Sequence, residues 1–300
     1  MLAVNAHSES ITLTGDTDHN PNPERARDTG MVVADLHVHT TNSDGTLPLE
    51  DLPAAARRAD LDAVAVTDHD QLHPGLDQPV VDRDGLTVVH GIELRVETEF
   101  GRVDLLGYGA RRTDALTGLV ERVQRDRIER GRAIVEAVES YLGHEIPLEA
   151  ERGIGRPDVA RAVVESDPDY DDIGSVFDDL IGGDGPCYVR RRVPSVNRAR
   201  AVLGEACAVV GLAHPLRYPE PEPALDLATE MDAVEVHYPY DGERGHTGAT
   251  GPLTVADVAA FADEHDLLVT GGSDAHEREL GIAGLSSTEY ERFAAALDEL

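Results

Sequence analysis

Histidine and acidic residues gather at the ends of apolar runs in this chain, and their spacing suits the gripping of a metal ion. Asp35-Leu36-His37-Val38-His39, Thr67-Asp68-His69-Asp70, Gly91-Ile92-Glu93, Ala213-His214-Pro215 and Gly272-Ser273-Asp274-Ala275-His276 share this pattern. In a strand, residues i and i+2 point the same way, so His37 and His39 present their imidazoles together. Imidazole with carboxylate suits Zn, Mn or Fe, and a carboxylate such as Glu93 can bridge two ions. Each motif alone has a plainer reading. His-x-His is often structural, Asp44 before Gly45 is a turn dipeptide, and Glu93 or His214 alone would pass as a paired, buried polar group. Repetition at successive strand ends is what points to a metal centre.

The elements around these motifs alternate. Apolar strands are expected at Met31–Leu36, Ala63–Val66, Leu86–Leu94, Val103–Tyr108, Ala208–Ala213, Ala233–His237 and Leu267–Thr270. Helices are expected at Leu49–Ala59, Pro157–Glu165, Ile173–Leu180, Val196–Glu205 and Leu253–Glu264. Leu116, Leu119, Val120, Val123, Ile134, Val135, Val138 and Leu142 keep helical spacing along one long helix. This order predicts a mostly parallel α/β barrel over 31–112 and 194–300, interrupted by a helical insertion at 113–193. The strands of such a barrel bring their carboxyl ends to one rim, where residues remote in sequence meet. Residues 1–30 are polar, without hydrophobic period, and read as a disordered extension. Met31, directly before the first strand, is a candidate start. His7 and His19 fall in the extension and carry no functional weight.

Charge is extreme: 58 Asp and Glu against 26 basic residues give a formal net charge of −32. Every basic residue is arginine. The acid is spread along the whole chain, a pattern that resembles cytosolic proteins of cells accumulating molar salt. There the Debye length is roughly 3 Å, so self-repulsion is screened. Such a surface offers nothing to duplex nucleic acid or an anionic membrane, because phosphate contacts need cationic groups. Cys187 and Cys207 form neither a metal motif nor a disulfide framework. No apolar run suits a membrane span and no signal peptide is evident, so the expected compartment is the cytoplasm.

The motifs Asp35-Leu-His-Val-His-Thr40, Ser43-Asp-Gly-Thr46, Thr67-Asp-His-Asp70, Gly91-Ile-Glu93, Ala213-His-Pro215 and Gly272-Ser-Asp-Ala-His276 together resemble the PHP (polymerase and histidinol phosphatase) superfamily. Gly155-Arg-Pro157 and Gly183-Asp-Gly-Pro-Cys-Tyr188 resemble its branch of nucleoside bisphosphate phosphatases and RNase AM-like 5′ exonucleases. The resemblance implies a distorted (β/α)7 barrel with two or three divalent ions, usually manganese, sometimes zinc or iron. It places His37, His39, Glu93 and Asp274 on a first ion, Glu93 and His214 on a second, and Asp44, His69 and His276 on a third. Asp104 stands where the family usually has a histidine, and an oxygen ligand there suits Mn²⁺. Glu93, Asp274 and His214 are the residues expected to serve catalysis. Arg156, Arg217 and Asp158 are the candidates for substrate contact. Asp158 also reads as a charge at a helix N-terminus.

The expected reaction is attack of a metal-activated water on phosphorus, in line with the leaving group. The expected substrate is a small phosphorylated one, a nucleotide or short oligonucleotide. Two alternatives share the barrel: a histidinol-phosphate phosphatase and a catalytically degenerate binding module. An amidohydrolase acting on C–N bonds through a carbamylated lysine bridge is excluded, because the chain has no lysine, but a Glu-bridged variant is not.

Overall fold

Alternate residues of the β-strands face two different apolar layers, and that division builds the molecule. The computed structural model describes residues 30–240 and 253–298. His7, His19, His246 and nearly all of the expected N-terminal extension lie outside the described residues. The strands run in the order β1 (Ala34–Val38), β2 (Ala63–Val66), β4 (Leu86–Thr98), β5 (Gly101–Tyr108), β6 (Val209–Leu212), β7 (Ala233–His237) and β8 (Leu268–Gly271), with β3 (Val80–Arg83) paired on β4. Among the described residues, eight α-helices accompany them: α1 (Leu52–Arg58), α2 (Asp114–Leu142), α3 (Arg156–Ser166), α4 (Ile173–Val176), α5 (Val196–Ala206), α6 (Pro221–Ala228), α7 (Val255–Glu264) and α8 (Ser287–Leu297). A π-helical turn continues α4 through Phe177–Ile181.

Parallel ladders join β1 to β2, β2 to β4, β6 to β7 and β7 to β8. Strand β5 departs from this order and is antiparallel to both neighbours. The reason is local. Thr98 and Gly101 pair across a hairpin, whereas a parallel crossover needs about a dozen residues. The sheet curls into a distorted barrel. Its first and last strands meet only near the rim, where His39 N donates to Ala275 O at 2.9 Å and Ala275 N donates to His37 O at 3.2 Å.

The inner layer holds Ala34, Leu36, Ala63, Ala65, Val89, Leu106, Tyr108, Val209 and Ala233, and Phe293 of α8 packs into it. The Tyr108 and Phe293 rings meet edge to face with centroids 5.1 Å apart. Val64 and Val66 of β2 belong instead to an outer cluster shared with α1. Leu116, Leu119, Val120 and Val123 of α2 pack on the barrel with α5. Farther along, Ile134 and Val138 join α3, Val176 and Leu180 in a small core of their own. The expected helical segment at 113–193 is thus anchored through its first turns and self-packed beyond them.

A β-bulge in β1 decides what the rim receives. Asp35 pairs with Val64 and Val38 with Val66, both on the outer face, with a register shift between them. The extra residue turns Leu36 and His37 to the same, inner side. His37 and His39 therefore enter the barrel mouth while Asp35 stays outside it.

Candidate metal centre

His37, His39, Glu93, His214 and Asp274 are all buried, contributed by β1, β4 and the segments that follow β6 and β8. His37 Nε2 lies 3.5 Å from Glu93 Oε1 and 3.5 Å from Asp274 Oδ1. His39 Nε2 lies 3.5 Å from Glu93 Oε2 and 3.0 Å from Asp274 Oδ1. Ligands at about 2.0–2.2 Å from a common ion stand roughly 2.9–3.5 Å from one another. These four nitrogen–oxygen distances already have that spacing. A second group joins His39, Asp44, His69 and His276, and a third joins Glu93, Asp104 and His214. His69 Nδ1 is 2.6 Å from Glu93 Oε2, and His276 Nε2 is 3.4 Å from Asp44 Oδ1. Every ligand expected from the sequence is therefore brought to one mouth.

The hydrogen-bond inventory shows what the protein alone leaves unmet. His37 Nε2, His39 Nδ1, Asp44 Oδ1, Glu93 Oε2 and His214 Nδ1 are buried without a hydrogen-bond partner. Such groups are costly unless something else satisfies them. Divalent cations fit His37 Nε2, Asp44 Oδ1 and Glu93 Oε2, which face other ligands across the mouth.

Charges in the centre are strongly coupled. Burial works against a charged His69, yet Glu93 and Asp44 outweigh it and lift its pKa to about 9. Burial, with His69 and His276 beside it, depresses His39 to about 4. The rings of His69 and His276 each lie 4.3 Å from that of His39, too close for all three to be charged. Burial would raise Glu93, but His69 and His37 hold it well below the usual carboxylate range. Asp274, likewise buried, is held low mainly by His37 and His39. The carboxylates stay ionised and ready to ligate.

Backbone strain and close approach shape the rim. His214 has φ 28°, Asp274 φ 48° and Asp70 φ 57°. All are in the left-handed region that side chains rarely adopt, at a cost of order 1–3 kcal/mol each. His214 adopts it although it precedes Pro215, a position normally extended. A Cβ at Gly272 would lie 2.3 Å from His37 N, so only glycine lets the β8 end pass this close to β1.

Several supporting residues escaped the sequence reading. Glu235 Oε1 accepts from His37 Nδ1 at 3.0 Å, and its Oε2 accepts from His214 N at 2.7 Å. His276 Nδ1 donates to Asp274 O at 2.9 Å, leaving Nε2 to ligate. Asp35 and Asp68, which resemble ligands in sequence, serve as braces. Asp35 accepts from Ser273 N, Ser273 Oγ and Gly281 N, each within 2.9 Å. Asp68 accepts from Thr40 N at 2.7 Å and Ser43 Oγ at 2.8 Å, fixing the loop that carries Asp44.

The substrate candidates are distributed differently. Arg217 Nη1 donates to Asp274 Oδ2 at 3.0 Å and to Tyr238 Oη at 2.9 Å, so it stands at the metal centre. Arg156 lies over the Phe177 ring at 5.1 Å and donates to Ile181 O at 3.1 Å, within the helical segment. Asp158 caps the start of α3, accepting from Gly155 N at 2.7 Å and from Arg161 Nη1 at 2.7 Å. His237 pairs with Glu289 at 2.8 Å. Arg127 of α2 is buried, and its Nη1 donates to Asp70 Oδ2 at 2.7 Å. Arg191 donates to the same oxygen, and its Nε is buried without a partner. Burial, with Arg156 and Arg191 nearby, lowers Arg130 to about 10. Arg127, Arg130, Arg156 and Arg191 thus form a cationic group linked to the metal centre through Asp70, the neighbour of ligand His69. Spacing along the sequence gives no sign of this group, because Arg191 reaches Asp70 from 121 residues away.

Fold and site define an α/β-barrel protein with clustered His, Asp and Glu side chains at the barrel mouth that could hold metal ions. Residues 35–181 match the PHP domain. It is 28% identical over 273 residues to a 3′,5′-nucleoside bisphosphate phosphatase of Chromobacterium violaceum, covering 86% of this chain and 92% of that one. It is also 28% identical over 261 residues to the 5′-3′ exoribonuclease Rnm of Escherichia coli, covering 82% of this chain and 86% of that one. A solved structure from Bifidobacterium adolescentis, described as a metal-dependent phosphoesterase, shares the fold with TM-score 0.70 at 23% identity, over 90% of this chain and 98% of that one. No helix among the described residues is long and apolar enough to cross a membrane.

Proposed function

We propose that this protein is a metal-dependent phosphoesterase that hydrolyses a phosphate ester on a nucleotide or at the end of a short oligonucleotide. The observation that carries this reading is the set of buried ligand atoms His37 Nε2, Asp44 Oδ1 and Glu93 Oε2, which make no hydrogen bond although each faces another potential ligand within 3.5 Å. His37, His39, Glu93 and Asp274 would hold one divalent ion, and Asp44, His69 and His276 another. His214 and Asp104 offer a third position beside Glu93. The mixed imidazole and carboxylate donors suit manganese, zinc or iron alike, and manganese is the choice that the resemblance to the PHP superfamily implies. Bound ions would supply Lewis acidity toward phosphate oxygens and lower the pKa of water toward neutrality.

The chain's own residues do the rest. Glu93 and Asp274, kept ionised by the surrounding imidazoles, take up positive charge and orient the ligands. Arg217, anchored on Asp274 Oδ2 and still partly exposed, lies where it can meet a phosphate oxygen. Arg191 and Arg127, organised by Asp70, offer a forked anion site for a second phosphate or the next backbone linkage. That division suits a substrate with more than one phosphate group. It also favours nucleotide ends over histidinol phosphate, which carries one phosphate and a cationic amine. The intact ligand set argues against a degenerate binding module.

The test is to purify the protein in high-salt buffer, measure bound metals, and assay it with Mn²⁺. Adenosine 3′,5′-bisphosphate, 5′-phosphorylated short RNAs, histidinol phosphate and a chromogenic phosphate ester form the panel. Turnover of the first two, lost in His37→Ala and Glu93→Ala, is expected. A fully metallated protein inert toward the whole panel would return the reading to a binding module.

A further inference from the structure

Asp104 and Asp274 both line the metal centre, and each carries an arginine, but they carry it differently. Arg217 touches Asp274 only at Oδ2, leaving Oδ1 free to face His37 and His39. Arg95 instead grips Asp104 at both oxygens: Nε donates to Oδ1 at 2.7 Å and Nη2 to Oδ2 at 2.5 Å. The pair is built into the hairpin, since Arg95 and Asp104 are directly opposed in the β4–β5 ladder. Asp104 is also fixed from behind, its backbone N donating to Tyr218 Oη at 2.8 Å, which in turn donates to Ala213 O at 3.0 Å. Asp104 is buried, and its Oδ2 lies 3.8 Å from His214 Nε2.

A divalent ion seated among Glu93, Asp104 and His214 would need that same Oδ2. It would then share one carboxylate with a guanidinium that occupies both oxygens in forked fashion. Two cations on one buried carboxylate repel each other strongly. We propose that Arg95 is the resident cation of this corner, neutralising Asp104 and keeping a divalent ion out of the Glu93–Asp104–His214 group. This rests on the metal-centre reading above and narrows it. The protein holds ions at the His37–His39–Glu93–Asp274 and Asp44–His69–His276 positions, and a fixed side-chain charge stands at the third. His214 then serves Glu93, whose Oε1 lies 3.1 Å from its Nε2, rather than a third ion.

The test counts metals, not turnover. Full-length protein is stripped with chelator, reloaded by equilibrium dialysis against Mn²⁺ in high salt, and analysed for manganese per chain. Wild type is expected to take two ions, at the His37–His39–Glu93–Asp274 and Asp44–His69–His276 positions; the further grouping His37–His214–Asp274 shares His37 and Asp274 with the first and adds no separate site. Arg95→Gln is expected to take a third, at least about tenfold more tightly than wild type does. The double variant Arg95→Gln/Asp104→Asn is expected to fall back to two. Three ions on wild type would overturn the proposal and leave the metal-centre reading standing, as would a third site that Arg95→Gln fails to strengthen. No ion on folded wild type would overturn the metal-centre reading itself. If Arg95→Gln loses its first two ions through misfolding, the wild-type count decides alone.

Discussion

Glu235 Oε1 accepts a hydrogen bond from His37 Nδ1 at 3.0 Å, with both side chains fully buried. That bond fixes the proton on Nδ1 and leaves Nε2 as the face offered to an ion. The other Glu235 oxygen holds the backbone of His214, so one carboxylate sets two corners of the mouth.

Glu235→Ala should therefore weaken metal binding without dismantling the barrel. Loss of an orienting partner of this kind typically costs about 10–100-fold in metal affinity. Titration calorimetry with Mn²⁺, beside a far-UV circular dichroism spectrum, checks it. An affinity equal to wild type would remove Glu235 from the centre's support.

Arg191→Met should raise KM for a bisphosphorylated substrate by about tenfold or more and change kcat little. A hydrogen bond to a charged group contributes about 1.5–3 kcal/mol, and this one lies away from the reacting phosphate. Steady-state kinetics on a bisphosphate and on a monophosphate separate the effects. An equal loss on both substrates would argue against a second-phosphate role.

His69 gives the metal affinity a sign with pH. Its pKa is raised from 6.5 to about 9 in the metal-free protein, whereas a ligating imidazole must be neutral. Binding should displace a proton, so affinity rises with pH up to about 9 and then levels. The charged ring's contribution to metal-free stability runs the other way: complete below 6.5 and lost as pH rises through about 9. Calorimetric titrations in two buffers of different ionisation enthalpy at about pH 7.5 read the released proton directly. Affinity independent of pH across this window would contradict the assignment.

Phe293→Ala should destabilise the fold by about 3–5 kcal/mol, the usual cost of emptying a large buried aromatic site. Phe293 is fully buried and packs edge to face on Tyr108. Denaturant unfolding in high salt measures it. A loss below about 1 kcal/mol would mean that α8 does not seal the inner layer.

Much of the molecule was legible in the chain because its signals are local. Strand alternation aims His37 and His39 together, and strand β7 and helix α5 fall within a residue of their expected bounds. Strand β3 and helices α6 and α8 went unread. Short β3 is only half buried, and α6 follows a proline-rich stretch that masks its period. The amphipathic α8 opens on a capping box, Ser286 with Glu289, a local signal that could have marked it.

By itself, then, the sequence determined which side chains could ligate and that strand ends would carry them, since residue type and period act over a few residues. Only the tertiary structure decided which acids stand in place to do so. Asp35 and Asp68 look no different from Asp44 and Asp274, but the bulge in β1 and converging backbone N–H groups turn them into braces. Glu235, Arg95, Arg127 and Arg191 acquire their roles through partners that only sheet register and helix packing bring near. A carboxylate is read by whichever donor or cation reaches it first, and that is settled in space.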